Sequence, residues 1–247
     1  MKIGIVGCFF NCAKNLRNVL APWQALKRDQ RLILTGVNAL FKENAELGME
    51  NNDDETRRVM HTCDLDYVSI CPVPLTESQA RNQCLEYLLH SDVDLIWLLD
   101  GDEFYSVDQI REIIYFVEKR MTETNSYFSI NFKNHVFDGV EWVDGFCPPR
   151  IFFKKIHGGI DQFYWDNDIT YLDGTNYKVL NEIKIPRETA HIRHMTWLHE
   201  NGKEKYEYQV KHFGQCSYKW NYETEKLEFD LDYYEKHSLP VPELKIG

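Results

Sequence analysis

Two carboxylates and a glycine, Asp100-Gly101-Asp102, follow directly on the apolar run Leu95-Ile96-Trp97-Leu98-Leu99. Carboxylate oxygens at the end of a buried strand suit a hard divalent cation, Mn2+ or Mg2+, which completes its shell with phosphate oxygen and water. The glycine between them leaves room for a phosphate. Asp and Gly also make ordinary polar turns between strand and helix, and an Asp-x-Asp motif arises often by chance. Its placement after a run with no polar alternation favours the metal reading. Such a strand is buried on both faces, and ligands of open α/β sheets collect outside the carboxyl ends of strands.

Three further sets of residues bear on the same chemistry. Arg81 carries a guanidinium, the natural bidentate partner of phosphate, although alone it reads as a surface helix charge. Four of the nine histidines, His191, His194, His199 and His212, fall close together in the sequence. His191-x-x-His194 puts two imidazoles nearly on one face if helical and on opposite faces if extended; taken singly, each histidine reads as a surface or core residue. Aromatic residues make up 14% of the chain and crowd its second half, with Trp142, Trp165, Trp197 and Trp220 among them. Aromatic faces with polar tips suit sugar rings, but most of these side chains are expected in the core.

The elements that must position these residues are legible from periodicity. Lys2 to Cys8 reads as a buried strand, and Asn15 to Lys27 as a helix with Leu16, Val19, Leu20, Trp23 and Leu26 on one side. Pro22 is expected to kink or end that helix. Leu32 to Leu40 and Tyr67 to Cys71 read as strands, with the polar, acidic stretch Glu43 to Thr56 between them as loop or solvated helix start. Thr76-Glu77-Ser78-Gln79 and Ser106-Val107-Asp108-Gln109 are two capping boxes, each opening a striped helix. Between those helices lies the Asp94 to Leu99 strand. Repeated strand–helix alternation predicts a mostly parallel, helix-covered sheet. After Asn125 strand-like pieces (Tyr127 to Phe132, Arg150 to Phe153) alternate with Gly-, Pro- and Asp-rich turns. One continuous domain over 1–247 fits this texture, with a nucleotide-type half over 1–105 and an irregular, β-rich half over 106–247.

Composition narrows the function classes. The 247 residues carry 28 Lys and Arg against 39 Asp and Glu, a net charge of −11, which argues against binding nucleic acid or anionic membrane by bulk charge. The longest apolar run, Ile3 to Phe10, is far short of the about 20 residues that span a bilayer. It reads as a first strand rather than a signal segment. The seven cysteines are odd in number, scattered and without a Cys-x-x-Cys pair, so a reducing, cytoplasmic setting is expected. The glycines of the first strand, Gly4 and Gly7, form no Gly-x-Gly-x-x-Gly, which weighs against a dinucleotide oxidoreductase. A nucleotidyltransferase would also bring a Gly-rich, Lys-containing phosphate loop there.

Ala80-Arg81-Asn82, an apolar helix, and then Asp94 to Phe104 with its Asp100-Gly101-Asp102-Glu103 resemble the GT-A glycosyltransferases of the family 2 type. The resemblance runs from Ile3 to about Val117, and Arg150 to Lys154 resembles a further strand seen in many members. It implies a GT-A-like α/β fold and a metal-dependent transfer of a sugar from a nucleoside-diphosphate sugar to an acceptor hydroxyl of a glycan or other carbohydrate, with inversion. Asp102 would be the direct ligand of Mn2+ or Mg2+. Asp100, with Gly101, would face the sugar or ribose of the donor, and Arg81 the donor's charged groups. Cys8, Phe9 and Phe10, with Asn38 to Phe41, would border the base. Many members follow strand one with Asn-Glu, whereas here Asn11 precedes Cys12. A late histidine commonly completes the metal shell in this family, and His194 is preferred to His191 and His199. An inverting transfer needs a general base, usually a carboxylate. Asp168 is the nominee, with Asp166 next and Asp144 and Glu200 behind. The alternatives are nucleotidyl transfer and an inactive carbohydrate-binding relative.

Overall fold

The structure, a computed structural model, describes residues 1–46, 48–51, 53–123, 125–136, 140–142, 147–154, 163–165, 169–171, 178, 180–194, 203, 206, 207, 210, 211, 218–229, 232 and 236. The first elements are β1 (Ile3–Cys8), α1 (Ala13–Leu26), β2 (Leu32–Asn38), α2 (Lys42–Glu46), α3 (Asp54–Thr62), β3 (Tyr67–Ile70), α4 (Glu77–Leu89), β4 (Leu95–Asp100), β5 (Glu103–Phe104) and α5 (Val107–Glu118). The strands described after α5 are β6 (Ser126–Ser129), β7 (Phe132–Val136), β8 (Val140–Trp142), β9 (Pro149–Phe153), β10 (Phe163–Trp165), β11 (Ile169–Tyr171), β12 (Asn181–Lys184), β13 (Ile192–His194), β14 (Tyr218–Asn221) and β15 (Lys226–Phe229).

The chain divides into two compact units, one of Met1–Asn131 with Cys147–His191 and the other of Phe132–Phe146 with Ile192–Gly247. The division does not fall at residue 105. In the first unit α5, β6, β9 and β12 continue the body that β1 to β4 begin, because the sheet is completed by strands from later in the chain. Its seven strands run β12-β6-β9-β4-β1-β2-β3. β2 to β1, β1 to β4 and β2 to β3 pair in parallel, β9 runs antiparallel to both β4 and β6, and β12 is parallel to β6. The expected α/β class, a mostly parallel sheet flanked by helices, is what forms. In the second unit β7 pairs with β13 in parallel and with β8 antiparallel, and β14 with β15 makes a hairpin.

Alternation along β4 decides what reaches which face of the sheet. Ile96 and Leu98 pack in one cluster with Ala80, Cys84, Leu85 and Leu88 of α4, together with Val6 of β1 and Phe152 of β9. Trp97 points the other way and meets Trp23 of α1 edge-on at 4.7 Å between ring centres, with Tyr105 completing the aromatic cluster at 5.4 and 5.6 Å. Period 2 therefore delivers Asp100, two residues past Leu98, to the α4 side. By the same count Cys8 of β1 and Arg150 of β9 share that side with Val6 and Phe152.

Pro22 lies inside α1 without ending it. Trp23 and Leu26, both fully buried, hold the last turn against the sheet and outweigh the lost hydrogen bond. The acidic stretch after β2 forms two short helices, and Asp53 caps α3 by accepting from the Thr56 amide. Both capping boxes form as expected, at Thr76–Gln79 and Ser106–Gln109.

Candidate active site

Chain order reverses between β1 and β4. From β1 the chain passes to β2 on one side of the sheet, and β4 joins β1 on the other after the crossover through β3 and α4. Such a reversal opens a crevice outside the carboxyl ends of the two strands. Cys8 and Asp100 are register partners at those ends, so the Asp100-Gly101-Asp102 turn starts at the crevice. Gly101 is required by packing. A Cβ there would lie 2.9 Å from Cys12 Sγ and 3.1 Å from its Cβ, closer than neighbouring atoms come without shifting.

Asp100 is held at both carboxylate oxygens. Arg81 Nη2 donates to Oδ1 at 2.9 Å, and Arg150 Nη2 donates to Oδ2 at 3.2 Å. Arg81 reaches Asp100 from the buried face of α4, and its Nε donates to Glu77 Oε1, one turn back, at 2.8 Å. Arg150 Nε lies 2.9 and 3.2 Å from the two oxygens of Glu103, and Nη2 also donates to Glu103 Oε1. Glu103 is fully buried, while Asp100 keeps 30% of its side chain exposed. Arg150 thus ties a buried carboxylate to one that faces the crevice.

Burial works to raise the Asp100 pKa, but the Arg81 and Arg150 guanidinium groups outweigh it and hold the carboxyl below its usual value. For Glu103 burial wins. It lifts the carboxyl to about 7 against the pull of Arg150, with the charge on Asp100 pushing the same way as burial. The folded state then binds a proton at Glu103 that the unfolded chain has released, between a pKa near 4.5 unfolded and about 7 folded. Stability from this group is present at pH 4.5 and is lost as pH rises to 7, by about 3 kcal/mol at most. Urea unfolding across that window should show the decline, and Glu103→Gln should flatten it; an unchanged slope in the variant would place the titration elsewhere.

Asp102 is half-buried just past Gly101 and lies close enough to add to the upward pressure on Asp100, Glu103 and Cys12. Cys8 and Phe10 are half-buried. Burial pushes the Cys8 thiol far up, with Arg81 opposing, an environment that favours the neutral thiol.

Two of the residues expected to border the base are buried. Phe9 is fully buried, its ring filling the space above Gly7 and Gly36. Asn38 is fully buried as well, with Nδ2 donating to Phe9 O and to Asp53 Oδ2, each at 2.8 Å, and Oδ1 accepting from Arg57 Nε at 2.9 Å. Both sit beneath the crevice and shape its floor. Asp53 Oδ2 also accepts from the Asn11 amide at 2.5 Å. Asn11 has φ of 49°, a left-handed conformation that Asn tolerates better than most residues. This buried carboxylate joins the β1–α1 turn to the end of β2.

His191 lies in the first unit, where its carbonyl accepts from Gln109 Nε2 at 3.2 Å. His194 ends β13 in the second unit and stacks on Phe132 at 4.3 Å between ring centres. The backbone from Ile192 to His194 is extended. Among the described residues no group of three or more His, Cys, Asp or Glu side chains is arranged to hold a metal ion. Asp166, Asp168, Asp144, His199, His212 and Glu200 lie outside the described residues.

Arg150 and Glu103 both fall in stretches that carry the resemblance but are not among the expected site residues. Their signal was weak but present: Arg150 shares the period of Phe152 on a strand that adjoins β4, and Glu103 follows Asp102 into an apolar stretch.

No protein-family model and no curated protein matches the sequence. Among solved structures the chain is similar to S. aureus TarS, at 12% identity over 55% of this chain and 22% of that one, with a TM-score of 0.35. It is likewise similar to S. aureus TarS 1–349 in complex with UDP and in complex with UDP-GlcNAc. Each of those matches is at 12% identity over 55% of this chain, covering 36% and 34% of the respective chains, with TM-scores of 0.36. The chain spans about a third or less of the structures it matches. No helix among the described residues is long and apolar enough to cross a membrane.

Proposed function

We propose that this protein is a metal-dependent glycosyltransferase that moves a sugar from a nucleoside-diphosphate donor to an acceptor hydroxyl, with inversion. The observation that carries the reading is the Arg81–Asp100–Arg150 arrangement at the point where strand order reverses, with Asp102 one glycine beyond. The motif resemblance over residues 3 to 117 supports the same reading.

Charge explains why a cation belongs to it. Two guanidinium groups stand among four carboxyl groups, Glu77, Asp100, Asp102 and Glu103. Such an edge repels a bare diphosphate. Both Asp100 oxygens are engaged by arginines, so Asp102 is the carboxylate that would hold Mn2+ or Mg2+. One or two carboxylates with the rest of the shell from phosphate and water is the usual manner of Mg2+. The bound cation would neutralise charge developing on the departing diphosphate. Asp100, kept ionised and fixed by its arginines, accepts hydrogen bonds from donor hydroxyls, and the neutral Cys8 lines the wall beside it. A general base to take the acceptor proton is assigned to Asp168, or to Asp166.

The test is incubation with UDP-glucose, UDP-N-acetylglucosamine, GDP-mannose and dTDP-glucose in the presence of Mn2+. Slow release of the nucleoside diphosphate is expected from at least one of them. Release of pyrophosphate instead would indicate nucleotidyl transfer, and neither binding nor release of any donor would refute the transferase reading.

A further inference from the structure

We infer that Arg150 is a positioning residue of the donor site, acting through Asp100. The inference rests on the donor reading above and adds to it a residue from outside the strand-end motif. Arg150 comes from β9, which is antiparallel to β4 and lies after the second unit's first strands in the chain. Its guanidinium is anchored by the buried Glu103, with contacts from Nε at 2.9 and 3.2 Å and a further one from Nη2. The same Nη2 reaches Asp100 Oδ2 at 3.2 Å, and Nη1 donates to the Pro149 carbonyl at 3.2 Å.

The geometry has a specific consequence for Asp100. A carboxylate oxygen has two lone pairs. Arg81 takes one at Oδ1 and Arg150 takes one at Oδ2, which fixes the plane of the group and leaves acceptor capacity on both oxygens. The carboxylate retains 30% exposure toward the crevice, whereas the Arg150 side chain retains 11%. Asp100 is thereby presented as a rigid, ionised acceptor for two neighbouring hydroxyls, the pattern of a sugar or ribose diol. With only Arg81 in place, the carboxylate can rotate about its last bond and the second acceptor loses its direction. Arg150 need not touch the donor to have this effect.

A simple truncation of Arg150 would leave Glu103 buried without its partner, so the informative variant changes both. Arg150→Met with Glu103→Gln removes the buried pair together and keeps the volume similar. Steady-state kinetics with Mn2+ and the panel donor that wild type turns over fastest should show donor KM raised about tenfold or more and kcat within about threefold. Glu103→Gln alone, which keeps an acceptor for Arg150, should raise donor KM less than the double variant does. Arg150→Lys should not restore tight binding, because an ammonium cannot serve both carboxylates as a planar fork does. A purely structural Arg150 would lower Tm in the double variant and leave donor KM unchanged in the folded protein, and that result would overturn the inference while the donor reading stood. A wild type that neither binds nor cleaves any donor in the panel would remove the donor reading itself, and the inference with it.

Discussion

Asp102→Asn is expected to lower donor turnover about a thousandfold and to leave the fold intact. The magnitude follows from loss of charge stabilisation on the leaving diphosphate, typically a factor of about 100 to 1,000 for one such interaction. The fold should survive because Asp102 is half-buried at a turn, not part of the buried Arg150–Glu103 pair. Removing one negative charge from an acidic edge also relieves like-charge pressure on Asp100 and Glu103. Circular dichroism and Tm near wild type, with nucleoside diphosphate release close to background, is the expected combination. Turnover within about threefold of wild type would mean that Asp102 holds no cation.

Arg150→Ala has the opposite character, with its main effect on stability and a dependence on pH. Removing one partner of a buried ion pair costs about 3 to 5 kcal/mol when the other charge remains. Glu103 is fully buried, and without Arg150 nothing offsets burial, so its pKa rises above the value near 7 that it holds in the wild type. The raised pKa means that the folded variant is most stable with Glu103 protonated and loses stability as pH rises. Urea unfolding should therefore show the full cost at pH 8 and a clearly smaller one at pH 5.5. An equal cost at both values would show that the loss comes from packing rather than from an unpaired carboxylate.

These two residues also differ in how far the sequence alone could single them out. Asp100-Gly101-Asp102 was visible because an unbroken apolar strand must be central, and its end must face the crevice of an open sheet. Thr76–Gln79 and Ser106–Gln109 were visible because capping is local chemistry, complete within four residues. Arg150 was not legible as a site residue, since its partners, Asp100 and Glu103, lie 50 and 47 residues away. Only the antiparallel insertion of β9 beside β4 brings them together. The burial of Phe9 and Asn38 was not legible for a related reason. Position at a strand end is readable from sequence, but Phe9 turns inward over two glycines and Asn38 is taken up by Asp53 and Arg57. The His191–His194 spacing allowed two backbone geometries, and the structure has Ile192–His194 as extended strand.

Calorimetric titration of wild type and Asp102→Asn with the donor cleaved fastest, with and without Mn2+, tests the central claim most directly. The account predicts donor binding by the wild type that depends on Mn2+, and loss of that dependence in Asp102→Asn. Equal donor affinity with and without Mn2+, or equal Mn2+-dependent affinity in both proteins, would contradict it.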